Sequence, residues 1–531
     1  MGLKTFAILI VATLGIWEPK GAIASSQPTA QRTSGDMATS APIEDAATPS
    51  VTQVTPGLAQ TANPIPVVEY DAKYGNYLPP TIPPASGGEG IQTAAEVASR
   101  IVKDVQIRFV NNKGESVDDQ NRPIPSRTKK DFIIGELKLK PGEVFREDLL
   151  QEDLQRLRRL ESFDDVNVSV EEAADGVNII YDIQENRFPS ITLGGGNSGD
   201  IGLYGSVSYR DANINGVNDR LAAKLQVSGK DVQFNTEFTS PYRADEPNRL
   251  GYSVRAFRNR DYSRTFTDEI ELPNGDSTRE GRFGGGVAVL RSSNGWDGSL
   301  GLNYTRISTR DADFNIARVD ELGNPLSVSK TGIDDLVTVS FGVARDRRDR
   351  RSNPTQGSLL TLTTEQSIPI GLGSILSNRV RANYIQYVPV SWIGKGKETE
   401  NPEMVALNLQ TGTILGEFPP TEAFNLGGFN SVRGYGSGKV ASGRSYALAS
   451  IEYRFPILQW LGGVVFADYG SDLGSGDTVL GQPALRRGKP GSGFGYGLGL
   501  RVKSPIGLIR SDLGISDQGE VRLEVTTGQR F

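Results

Sequence analysis

The stretch DLVTVSFGVARD, Asp335 to Asp346, decides how this chain is read. Val337, Val339, Phe341 and Val343 fall on one side, and Thr338, Ser340, Gly342 and Ala344 on the other. That is the pattern of an extended strand, whose successive side chains point to opposite faces. RLAAKLQVSG, from Arg220 to Gly229, repeats it, with Leu221, Ala223, Leu225 and Val227 opposing Lys224 and Gln226. Beyond Arg187 such segments recur between Gly, Asn and Asp turns, at about 189–196, 202–211, 219–228, 231–240, 249–259, 281–291, 296–308, 335–345, 357–368, 378–390, 404–414, 443–456, 461–470, 493–504, 507–516 and 521–531. Sixteen is an even number, as closure of a transmembrane β-barrel requires. Long connections follow the fifth, seventh, eleventh and thirteenth segments, whereas those after the second, fourth and sixth are shorter. Short turns belong on the periplasmic side, so the first strand runs outward. The connection after the tenth, IGKGKETENPE, is longer than this rule expects. A soluble sandwich also alternates, with its apolar face inward, and alternation by itself does not say which face is inside.

The chain ends favour the membrane. One lysine, Lys4, precedes the short apolar run TFAILIVATLGIW, and Ala22 and Ala24 present the small residues of a cleavage site. Residues 1–24 therefore read as a signal peptide, cleaved after Ala24. No later window offers 18 apolar residues, which leaves strands as the way across a bilayer. Residues 25–101 are rich in Pro, Ala, Ser and Thr and read as a disordered tail. The chain has 0 Cys and 0 His. Disulfides, thiolate or imidazole metal sites and a Ser-His-Asp triad are thereby excluded, and the expectation is a non-enzyme without metal or cofactor. A net charge of −6 argues against nucleic acid as a partner.

Residues 102–186 read as a small α+β module. DVQIRFV alternates Val105, Ile107 and Phe109, PSRTKKDFIIGELKL suits a short helix, and Leu150, Leu154 and Leu157 share one helical face in REDLLQEDLQRLRRL. DDVNVSVEEA alternates Val166, Val168 and Val170, and Asp175-Gly176 marks a two-residue hairpin turn into the last strand. This β-α-α-β-β order resembles a single POTRA domain, the periplasmic module of the BamA-type outer-membrane assembly proteins. The resemblance continues through the barrel, residues 187–531. FNLGGFNSVRGYGSG, Phe424 to Gly438, carries Val432, Arg433, Gly434 and Tyr435, and is similar to the Val-Arg-Gly-Tyr motif of that superfamily's sixth outer loop. FADYG matches its thirteenth strand, DRRDRRSNPTQG its periplasmic turn with Asp346, Pro354 and Gly357, and GLGLRVKSPIGLIRSDLGIS followed by TTGQRF its last two strands.

The resemblance implies that the loop folds into the lumen and that Arg433 pairs with Asp468. Strand alternation puts Asp468 and Phe466 on one face, and a guanidinium forks onto a carboxylate through two parallel hydrogen bonds. It further implies an outer-membrane insertase or translocase that leads unfolded client polypeptides, with periplasmic accessory proteins, to a lateral seam between the first and last strands. Gly194, Gly195, Gly196 and the terminal Phe531 would mark that seam. A two-partner-secretion-type transporter and a passive gated pore are the alternatives.

Overall fold

The structure is a computed structural model that describes residues 100–186, 189–198, 202–243, 246–267, 270–349, 353–393, 403–504 and 507–531. The signal-peptide reading and the tail up to residue 99 lie outside the described residues. None of the described helices is long and apolar enough to cross a membrane.

Strand β1 (Ile101–Phe109), helices α1 (Lys130–Glu136) and α2 (Glu147–Arg158), and strands β2 (Phe163–Ala173) and β3 (Gly176–Glu185) build the small module. Its sheet has the order β1-β3-β2, with β1 parallel to β3. The helices cover one face through Phe132, Ile133, Leu150, Leu154 and Leu157, which bury against Val102, Ile107, Val166 and Ile179. The β2–β3 turn is Ala174-Asp175, one residue earlier than the Asp175-Gly176 reading, because Ala173 pairs with Gly176. Gly176 answers to a close approach instead: a Cβ there would lie 2.1 Å from the carbonyl oxygen of Ile101.

Sixteen antiparallel strands follow in one sheet. They are β4 (Ser190–Ser198), β5 (Gly202–Asp211), β6 (Arg220–Ser228), β7 (Val232–Ser240), β8 (Gly251–Tyr262), β9 (Arg279–Ser293), β10 (Trp296–Arg310), β11 (Ile333–Asp346), β12 (Gly357–Ile368), β13 (Ser377–Pro389), β14 (Met404–Gly416), β17 (Ser445–Leu458), β18 (Leu461–Ser471), β19 (Ser492–Ser504), β20 (Gly507–Ser516) and β21 (Val521–Thr527). Each sequence-predicted strand has its counterpart here. Between β14 and β17 the chain leaves the wall and forms a short hairpin, β15 (Phe424–Leu426) with β16 (Ala441–Gly443). The order runs from β21 to β4, and among the described residues no ladder joins those two ends.

The wall is inside out relative to the module. On β11 Phe341 is 50% exposed and Val339 39%, while Thr338 and Ser340 between them are buried. The apolar face looks outward, to where lipid lies in a membrane barrel, and the polar face inward.

The module meets the barrel at the β5–β6 turn. Glu161 accepts from Arg210 at 3.1 Å and Arg220 at 3.0 Å, Asn213 Nδ2 donates to Thr128 Oγ1 at 2.7 Å, and Ser162 Oγ bonds Asn218 Oδ1 at 3.1 Å. That turn follows the second strand, so the module sits at the end of the barrel with the shorter connections.

Candidate functional site

Residues 417–444 fold inward. Phe418, Phe424, Leu426, Val440 and Tyr446 form a small apolar cluster with Val432 and Tyr435 inside the polar lumen. Glu422 moors the start of the segment, accepting from Arg282 on β9 and, at 2.6 Å, from Arg379 on β13.

Arg433 is 1% exposed. Its Nε donates to Asp468 Oδ2 at 2.7 Å and its Nη2 to Asp468 Oδ1 at 3.0 Å, the two-pronged geometry that planar guanidinium and carboxylate groups favour. Nη1 donates to Glu452 Oε1 at 2.7 Å and Asp512 Oδ2 at 3.2 Å. The guanidinium lies 3.4 Å over the ring of Phe466, which gives the aromatic neighbour of Asp468 a direct part through its negative π face. Three carboxylates from β17, β18 and β20 thus surround one loop arginine.

The wall admits the loop because it lacks side chains where the loop passes. A Cβ on Gly495 of β19 would stand 1.8 Å from the Arg433 carbonyl oxygen. Gly434 has φ +93°, in the left-handed region open to glycine at little cost, and this turns the chain so that Tyr435 inserts beside Gly493. The Tyr435 hydroxyl donates to Asp517 beyond β20.

Asp346 ends β11 and accepts Arg348 Nε and Nη2, each at 2.9 Å. Pro354 is buried in the turn that follows, and Gly357 opens β12 at φ +98° with no room for a Cβ against the Arg347 carbonyl. This turn follows the eighth strand and belongs to the end of the barrel that carries the module. Gly194, Gly195 and Gly196 lie within β4, paired to β5 on one side only among the described residues.

Phe531 requires a correction. The last strand stops at Thr527, not at residue 531, and Gly528 at φ +85° turns the chain away from the wall. Arg530 then donates to Asp468 Oδ1 at 2.7 Å and to the Ser431 carbonyl. Phe531 packs in the lumen against Ile385, Tyr387, Met404 and Ala406, with Arg454 5.2 Å over its ring. Attraction between Arg530 and Asp468 competes with continued strand pairing and wins inside the barrel. Phe531 is therefore not a wall residue of the seam.

A family model described as the Omp85 superfamily domain matches residues 213–531, more than half of the chain. The chain belongs to the Omp85 superfamily. A second model, the surface antigen variable number repeat, or POTRA, matches residues 125–186 of this Omp85 chain. Outer envelope protein 80, chloroplastic, of Arabidopsis thaliana is 31% identical over 447 residues, covering 82% of this chain and 58% of that protein. Protein TOC75, chloroplastic, of Pisum sativum is 24% identical over 476 residues, covering 83% and 57%. This Omp85 chain thus spans little more than half the length of either. BamA from Haemophilus ducreyi lacking POTRA domains 1–3 shares the fold, with a TM-score of 0.50 at 18% identity over 81% of this chain and 84% of that one.

The motif residues were readable one by one, but the rest of the network was not. Glu452, Asp512, Arg454, Arg501, Arg510 and Arg530 stood unremarked in the sequence. A signal existed: in IEYRF, Glu452 and Arg454 alternate with Ile451, Tyr453 and Phe455, so the charges share a face opposite the large apolar residues. Glu422 and its two arginines carry no comparable signal, since 140 residues separate Arg282 from its partner.

Proposed function

We propose that this chain inserts or translocates client polypeptides at a lateral seam between β4 and β21, in a bacterial outer membrane with the POTRA module on the periplasmic side. The observation that carries the reading is the pair of strand edges left without a ladder to each other among the described residues. An unpaired edge presents backbone donors and acceptors that an incoming strand can join by β-augmentation. Glycines 194–196 keep the β4 edge bare of side chains. The relatives that carry the outer envelope in their names support the location, and the docked module supports delivery of unfolded clients, with any periplasmic accessory proteins, toward the β4 end of the sheet. No catalytic group, cofactor or nucleic acid enters this scheme. The loop packed across the lumen speaks against a passive pore, and passage through the lumen as in a two-partner transporter would first require its removal.

The test uses the absence of native cysteine. Pairs of cysteines, one within Thr192–Gly196 of β4 and one within Leu523–Val525 of β21, are to be oxidised in the full chain in outer membranes. A locked seam should stop client assembly and a reductant should restore it. Undiminished client assembly by a fully cross-linked chain overturns the proposal.

A further inference from the structure

Beyond the loop contacts, the barrel interior holds a pair of arginines facing each other. Arg501 on β19 is directly opposite Arg510 on β20 in the ladder, and both are nine-tenths or more buried. Like charges in that position repel, and here no bulk water separates them. One carboxylate, Asp512, serves both: it accepts Arg501 Nη1 and stands 3.6 Å from Arg510 Nε. It is also shared with Arg433 at 3.2 Å. Glu452 stands 3.9 Å from Arg501 Nη2, Glu524 lies across the ladder from Asp512, and the main-chain oxygen of Phe531 is already taken up by Arg454. Three guanidinium N–H groups of this cluster, Arg501 Nε, Arg530 Nε and Arg454 Nη1, are buried with no acceptor within reach. Buried donors on charged groups are costly to leave unmatched.

We infer that Arg501 and Arg510, with Arg530 from the segment after β21, form a binding site for a small inorganic anion of the chloride class. An anion between the two guanidiniums converts their repulsion into two attractions and accepts the unmatched N–H groups. Enclosure favours a small ion, since Arg454, Arg501, Arg510 and Arg530 expose almost nothing. Because Asp512 and Asp468 also hold Arg433, the bound anion leaves both carboxylates free to pin the loop. The site therefore stabilises the inward fold of residues 417–444, which Arg530 also holds directly through the Ser431 carbonyl.

The test takes the full chain in detergent micelles and reads the temperature at which it loses its folded mobility on a cold gel. Sodium chloride replaces sodium gluconate at constant ionic strength, so that general screening does not change. The native chain should show a saturable upward shift, on the order of 2–4 °C, with bromide acting alike. Arg510→Gln should be insensitive to chloride and more heat-resistant than the native chain in gluconate, since it removes the repulsion. A residue that merely braced the wall would give the opposite sign. In bromide-grown crystals of the native chain, an anomalous peak should lie between Arg501 and Arg510, a measurement independent of any variant. A native transition indifferent to chloride, an equal chloride shift in Arg510→Gln, or bromide bound only elsewhere would each overturn the assignment.

Discussion

The POTRA module and the barrel are built from the same strand alternation and end with opposite interiors. In the module, Val102, Ile107, Val166 and Ile179 face the core and the charges face water. In the barrel, Val339 and Phe341 face outward while Arg433, Glu452, Asp468 and Asp512 fill the interior. The module gains by removing apolar surface from water. The barrel wall gains nothing of that kind by turning inward, because its outer medium is itself apolar. Its inner cohesion must come from hydrogen bonds and ion pairs, which hold only if nearly every member is matched.

The largest effect should come from unmatching that interior. Arg433→Ala leaves Asp468, Glu452 and Asp512 with fewer counterions and should cost about 3–5 kcal/mol, the range for breaking a buried pair. The readout is loss of heat-resistant mobility together with new protease cleavage near Tyr435. Asp468→Ala should also release Arg530, and the double variant should cost less than the two singles together, as residues of one network do. Additive costs, or an uncleaved loop in Arg433→Ala, would break the picture of an ionic interior.

Trimming apolar side chains on the two sides sharpens the contrast at a somewhat smaller scale. Ile179 is fully buried in the module, and Ile179→Ala should destabilise it by about 2–5 kcal/mol. Phe341→Ala removes a larger side chain, yet one already half exposed to lipid, and should leave the barrel's heat-modifiability nearly unchanged. Hydrogen exchange of the module and gel mobility of the barrel, measured on the same full chain, would separate the two. Equal losses would mean that the wall has an apolar core after all.

The smallest effect concerns a buried carboxylate held differently in each region. Asp468 is neutralised by two guanidiniums, whereas Asp153 in the module accepts the backbone N–H groups of Lys138 and Leu139 at 2.8 and 2.9 Å. Burial pushes the Asp153 carboxyl above its ordinary value, and the two backbone bonds offset this only in part. A folded-state value above the unfolded one means that the folded module binds the proton more tightly. The associated stability is present at low pH and is lost as the pH rises through the raised value. Exchange protection of the module should accordingly increase slightly as the pH falls from neutrality toward that range, before general acid effects set in. Protection that falls monotonically from neutrality would contradict the assignment.

Much of this was legible in the chain itself. Strand alternation has a period of two whatever the solvent, so sixteen segments between residues 189 and 531 could be counted, and the Leu150, Leu154 and Leu157 stripe fixed a helix of the module. Arg433 stands out locally in its glycine-rich run, and Asp468 could be named because the resemblance of FADYG to the superfamily's thirteenth strand implies it. Gly176 misled by one residue because glycine serves close approach as readily as turns, and only pairing tells them apart. Phe531 misled because its strand pattern continues past Gly528 while the charge of Arg530 draws the segment inward, toward an aspartate 62 residues away.

What the sequence alone determined is the period: which residues share a face, how many strands there are, and that the chain has neither thiol nor imidazole chemistry. Only the tertiary structure decided which face is the inside. Val337 and Thr338 alternate identically in a sandwich and in a membrane barrel, and the choice depends on what lies on each side of the curled sheet. The same curling brings Arg282 to Glu422 and sets Arg501, Arg433 and Arg530 around three carboxylates. Such partners are far apart in the chain and meet only because the sheet curls, so no local pattern records them.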